Sequence, residues 1–199
     1  MFSRIRRALV LIAQQRRKRA WFKQQLWSPF RHIRLRPRIE KLEDRSLLAT
    51  WDGGGADNKW TTADNWVGNV APAAGDSLTF PTGAARLTNT NDYASGTAFG
   101  SINFTGAGYN LGGNALELSG GLADNSAEDA NNVVALTKIT LAAPQTFANF
   151  HANFGRTFIV TAGVDTNGYA LTIDGTVTTR MEGVVSGSGG GYQDRQRLP

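Results

Sequence analysis

From Leu78 onward the chain repeats one local pattern, two apolar residues separated by a single residue: Leu78/Phe80, Ile102/Phe104, Leu116/Leu118, Ile139/Leu141, Phe158/Val160 and Leu171/Ile173. In an extended chain alternate side chains point to the same side, so each pair marks a short strand with one buried face. Turn signals such as TGAG, LGGN and DTNG fill the intervals between pairs. The pattern predicts an all-β body. Short strands at this spacing suit either a β-sandwich or a β-solenoid, in which each coil contributes a few strands. The solenoid is favoured because Asn and Thr recur at strand ends, as in LTNTND and VDTNG, and two-residue hairpin signals are scarce.

The body begins with TWDGGGADNKWTTADNWVGN, where Trp51, Trp60 and Trp66 are separated by Gly, Asn, Asp and Thr. That spacing reads as short strands and tight turns rather than a helix. Two roles are open to the three indoles: exposed, they would stack on sugar rings; buried, they would form a core or cap.

Residues 1–49 are different. RIRRALVLIAQQRRKRAWFKQQLW is rich in helix formers and sets Ile5, Leu9 and Ile12 at helical spacing, which suits either a basic amphipathic helix or a disordered basic leader. Its apolar run, ALVLIA, is too short for a membrane span and for the apolar core of a conventional signal peptide. Charge sharpens the boundary. Met1–Ala49 holds 14 Lys/Arg against 3 Asp/Glu, Thr50–Gly191 holds 5 against 12, and Tyr192–Pro199 adds +1 to reach the total of +5. The basic balance belongs to the leader and the body is acidic, the wrong sign for a nucleic-acid partner.

At the junction stands RIEKLEDRSLLA. It resembles the N-terminal sorting motif of large extracellular proteins from planctomycete bacteria, L-E-x-R-x-L-L followed by Ala or Ser, with Leu42, Glu43, Arg45, Leu47, Leu48 and Ala49 filling the pattern. The resemblance implies export, an interaction of the leader with sorting machinery, and a processing boundary at Ala49–Thr50. By the residues alone, LEDRSLLA also suits a short amphipathic helix with an acidic first turn.

A second resemblance covers much of residues 50–191. VDTNGYALTIDGTVTTRMEGVVSGSGG is similar to the repeated β-strand unit of bacterial autotransporter-type passenger proteins, and the Trp-bearing segment resembles the module that opens such passengers. This implies a right-handed parallel β-helix, with Gly168 and Gly175 at coil corners in positive φ and Leu171 and Ile173 facing inward. The last residues, GYQDRQRLP, depart from that family, whose next coil would follow SGSGG. The departure suggests a truncated or frameshifted end. The expected organisation is a leader with its motif at 1–49, a β-helical domain at 50–185, and a Gly-rich disordered tail at 186–199 whose open coil end favours self-association.

Little in the sequence carries chemistry. There is no cysteine, and His151 is the one histidine of the body. Neither a zinc site nor a catalytic triad can be assembled from that set, and Ser186 and Ser188 lack the Gly-x-Ser-x-Gly turn of a hydrolase nucleophile. No cofactor is implied and no catalytic residue is singled out. LADNSAEDANN, with Asp124, Glu128 and Asp129, and VDTNG, with Asp165 and Asn167, offer oxygen ligands to calcium but lack the alternating loop pattern, and Asx turns account for them. The chain therefore reads as a non-enzymatic, secreted or cell-surface scaffold of the adhesion type. The alternative is a carbohydrate-binding or polysaccharide-degrading β-helix that contacts extracellular polysaccharide through Trp51, Trp60 and Trp66.

Overall fold

All six alternating pairs lie in strands, and all their side chains are buried. The structure, a computed structural model, describes residues 47–188 together with the backbone of Tyr192–Asp194. Residues 1–46 of the leader, including Leu42, Glu43 and Arg45, lie outside the described residues.

Three short strands make one coil. After β1 (Leu48–Thr50) and a loop holding one 3-10 turn (Ala63–Asn65), the first coil is β2 (Ser77–Phe80), β3 (Thr88–Asn91) and β4 (Thr97–Phe99). The second is β5 (Ile102–Phe104), β6 (Asn110–Gly113) and β7 (Leu116–Leu118); the third is β8 (Leu122–Asp124), β9 (Val133–Leu136) and β10 (Lys138–Leu141). The fourth is β11 (Gln145–Asn149), β12 (Phe158–Val160) and β13 (Gly163–Asp165), and the fifth is β14 (Leu171–Gly175), β15 (Thr179–Met181) and β16 (Val185–Ser186). Strand β17 (Tyr192–Asp194) pairs with β14. The tail expected to lack strands is therefore corrected at these residues, whose backbone takes the next position of the long sheet.

Each strand stacks on its counterpart one coil away. A seven-stranded sheet runs β1-β2-β5-β8-β11-β14-β17, and two five-stranded sheets run β3-β6-β9-β12-β15 and β4-β7-β10-β13-β16. Every strand pairing is parallel, which rules out the antiparallel sandwich and defines a β-solenoid of about five coils.

In-register stacking makes ladders of like residues inside the coil. Leu78, Ile102, Leu122, Phe147 and Ile173 are successive partners on the long sheet, and Leu116, Ile139, Val164 and Val185 on the third sheet. Phe80 and Phe104 stack with ring centroids 5.5 Å apart, and Phe158 meets Phe104 edge-on at 5.6 Å. Gly168 and Gly175 take φ of 85° and 132°. At Gly175 the neighbouring coil also excludes a side chain, because a Cβ would fall 2.1 Å from the Asn149 carbonyl oxygen.

The N-terminal end is closed by the Trp-bearing loop. Asn58–Trp60 hydrogen-bonds to Thr90 of β3, and Trp51 bridges Trp66 antiparallel beside β1. Trp51 and Trp66 meet at 5.2 Å and 87°, and Trp60 and Trp66 at 6.4 Å and 81°, the edge-to-face geometry that aromatic quadrupoles favour. All three indoles are fully buried over Phe80 and Phe99.

Candidate functional site

The Trp cluster presents no ring to a ligand. Each indole N–H is also used inside the protein: Trp51 Nε1 donates to the Arg86 carbonyl at 2.8 Å, Trp60 Nε1 to Asn89 Oδ1 at 2.7 Å, and Trp66 Nε1 to the Trp60 carbonyl at 2.8 Å. Of the two roles open to Trp51, Trp60 and Trp66, the structure has the buried one. A small coil end needs a large apolar lid, and three turn-linked indoles supply it. Asp57 braces the lid from outside. Its carboxylate accepts the Lys59 N–H at 3.1 Å, the Asn65 amide at 3.0 Å and the Thr62 hydroxyl at 3.0 Å. These bonds, the Lys59 N–H foremost, hold it below the usual carboxylate range.

The end of the Leu-Leu-Ala motif is built into the fold. Leu48, Ala49 and Thr50 are partners of Ser77, Leu78 and Thr79, and Ala49 packs against the core. Buried Asp76 clamps the entry to this strand by accepting the Leu47 N–H at 3.0 Å and the Ala73 N–H at 2.8 Å. The side chains of Leu47 and Leu48 are 62% and 68% exposed. The bond between Ala49 and Thr50 thus lies inside a paired strand, not in a linker.

The corner between the long and second sheets is polar in the third and fourth coils. Asp124, Ser126, Asn132, Asn149 and His151 are all buried. Asp124 Oδ1 accepts the Ser126 N–H at 3.1 Å and its hydroxyl at 2.5 Å; Asn149 Oδ1 accepts the His151 N–H at 3.0 Å; His151 Nδ1 accepts the Asn153 N–H at 2.9 Å. Asp124 Oδ2 and His151 Nε2 have no hydrogen-bond partner among the described residues. Serine, histidine and aspartate are near one another in the stack, but not in the order a nucleophile needs. The serine hydroxyl donates to the carboxylate rather than to the imidazole, and His151 Nδ1, the nitrogen a triad carboxylate would orient, instead accepts the Asn153 N–H.

The acidic loops do not converge. Glu128 turns toward the Thr82 hydroxyl, which holds its pKa below the usual range. Asp129 pairs with Arg156 at 2.5 Å and with the Asn153 amide at 2.8 Å, while Asp165 forms an Asx turn with the Asn167 N–H at 3.0 Å and lies 3.7 Å from Lys138 Nζ. Among the described residues no group of three or more His, Cys, Asp or Glu side chains could hold a metal ion.

Sequence reasoning missed a concavity on the long sheet. A shallow groove of about 570 Å³ crosses the outer face of the long sheet from Leu48 on β1 to Phe150 just after β11. Its floor is low because the outward positions of β8 and β11 are small, Ala123 and Ala148, and because Gly120 and Gly121 precede β8. Gly121 is forced: φ is +85°, and a Cβ would fall 2.4 Å from the Thr146 carbonyl oxygen of the next coil. The lining residues sit on strands remote in sequence, and no local pattern announces them.

The class these features define is a parallel β-solenoid with a sealed N-terminal end and an uncharged groove along its longest sheet. Comparison with protein-family models, with curated proteins and with solved structures gave no match.

Proposed function

We propose that the chain is an exported, non-enzymatic β-solenoid scaffold, secreted or held at the cell surface, whose leader and Leu-Leu-Ala motif engage a sorting apparatus and whose long sheet makes contacts with external polymers or proteins. The observation that carries this reading is the architecture itself: about five coils in parallel register, capped at one end, with a broad sheet face left open as a contact surface.

The position of β1 adds a constraint on processing. A protease that cuts between Ala49 and Thr50 must act before β1 pairs with β2, because afterwards the strand is hydrogen-bonded into the long sheet and Ala49 packs against the core. Cutting therefore belongs to the unfolded precursor, while the exposed Leu47 and Leu48 side chains remain readable in either state.

The test is to express the full chain in a bacterium that carries this export system, fractionate the cells, and determine the N-terminus of the external species by mass spectrometry. Export with the leader removed is expected. Changing both Leu47 and Leu48 to Asp should retain the precursor in the cell while leaving the fold intact, since both side chains are exposed. Full export of the double variant, or an external species that keeps Met1–Ala49, would defeat the reading.

A further inference from the structure

The groove on the long sheet has a chemistry of its own, and a natural occupant for it rests on reading that face as a contact surface. It receives residues from β1, β2, β5, β8 and β11, so at the spacing of neighbouring strands it extends roughly 19 Å along the stack. No Asp, Glu, Lys or Arg lines it. A ligand rich in phosphate, sulfate or carboxylate would lose hydration there and gain no ion pair, so the groove selects for a neutral occupant. It also lies on the face of a sheet whose backbone groups are already paired. An extended peptide could not add itself as another strand and would find few main-chain partners.

Hydroxyl and amide groups line it instead. Thr79 and Thr146 stand on β2 and β11, Ser101 just precedes β5, and Asn125 Nδ2 donates to Asn103 Oδ1 at 2.7 Å. That bond orients the two amides and leaves Asn103 Nδ2 as a donor and Asn125 Oδ1 as an acceptor for a ligand. At the wall stands Phe150, 48% exposed, its backbone held by the N–H bond to the Asp124 carbonyl at 2.8 Å. An apolar ring on a fixed backbone, beside a free donor and a free acceptor, matches the two surfaces of a pyranose, the C–H face and the hydroxyl rim.

We propose that this groove binds a neutral, extended oligosaccharide, with Phe150 as the stacking platform and the Asn103–Asn125 pair reading the hydroxyls.

The experiment is calorimetric titration of the full chain with neutral gluco-, xylo- and manno-oligosaccharides of increasing length, with oligogalacturonate and a heparin fragment as charged comparators. Affinity for at least one neutral series should rise with length until the groove is filled. Phe150→Ala should weaken it roughly tenfold, about the loss of one good ring contact. Ala123→Gln, which fills the floor, should abolish it. Far-UV circular dichroism on both variants establishes that they fold. The proposal is overturned if no neutral oligosaccharide binds, if a charged comparator binds more tightly, or if the folded variants bind as the parent does. It is equally overturned if the chain dimerises in sedimentation and Ala123→Gln makes it monomeric, for then the groove is filled by a second copy. None of these results depends on where the protein is found, so failure here is separable from failure of the export experiment.

Discussion

One inward ladder on the long sheet changes character halfway along the stack. In the first two coils it holds Phe80 and Phe104, and their register partners in the third and fourth are Asp124 and Asn149. All four are fully buried. Near the cap the corner is filled by rings, with Tyr109 5.4 Å from Phe80 and donating its hydroxyl to the Pro81 carbonyl at 2.5 Å. Burial raises the pKa of that phenol, so it stays a donor throughout the physiological range. Farther along, the corner is filled by side chains that satisfy the backbone of the outgoing loop. Asp124 and Asn149 each accept an N–H two residues ahead, as Asn91 and Asp165 do at other strand ends. A solenoid corner needs volume and paired backbone groups, and the two halves meet that need by different means. The polar solution leaves Asp124 Oδ2 and His151 Nε2 unpartnered.

If the ring-filled corner depends on volume, Phe104→Ala should give the largest loss, about 3–5 kcal/mol in urea unfolding, because the stack with Phe80 and the edge contact with Phe158 both become a cavity. A loss under about 1 kcal/mol would mean the corner collapses around the gap, and the contrast between the halves would fail. At the partner position, Asp124→Ala should cost less, about 1–3 kcal/mol, through the unpaired Ser126 N–H and hydroxyl rather than through lost volume. Hydrogen exchange should locate that damage in the loop at 125–132. Uniform loss of protection across all coils would show that the carboxylate supports more than its own turn.

The cap offers a finer test of whether rings there act by volume alone. Trp60→Phe keeps most of the aromatic surface but strips Asn89 Oδ1 of its donor, at an expected cost of about 1–2 kcal/mol at the equilibrium midpoint. An unchanged midpoint would make the indole N–H dispensable.

The smallest effect concerns acid. The pKa of Asp57 is depressed in the folded state, so its contribution is present above the unfolded carboxylate value, about 3.9, and fades as pH falls through the lower folded value. Asp57→Asn should therefore flatten the stability profile below about pH 4 and leave the buried corners untouched. A profile of the same slope in the variant would remove Asp57 from the account.

The alternating pairs told nearly the whole story of the strands that contain them, since alternation is a property of neighbouring residues and any one-sided strand enforces it. Strands such as β3, with inward Asn89 and Asn91, and β8, ending in Asp124, lacked that signal because their buried positions are polar. Two of these polar groups meet partners elsewhere in the chain: Asn89 Oδ1 accepts the Trp60 indole N–H, and Asn91 Nδ2 donates to the Asn114 carbonyl. The candidate site was less legible still. Three tryptophans amid turn residues read either as sugar platforms or as a lid, and the tertiary structure decided for the lid by setting them on Phe80 and Phe99. The Leu48–Ala49 end of the motif became a strand because β2, nearly thirty residues on, offers it an edge.

By itself, then, the sequence determined an all-β chain, its inward apolar positions, the turns made by Asx residues and glycines, and the charge break at the leader. Tertiary structure alone decided that three strands make a coil, that the indoles are buried, and that Leu48, Asn103, Asn125 and Phe150 share one groove. The physical reason is distance along the chain. Side-chain alternation and turn chemistry act within a few residues, whereas a strand in a parallel stack meets its partners one full coil away, Leu78 with Ile102 and Leu122 with Phe147. That spacing is set by loops whose lengths obey no local rule, so the surfaces they bring together form only when the coils close.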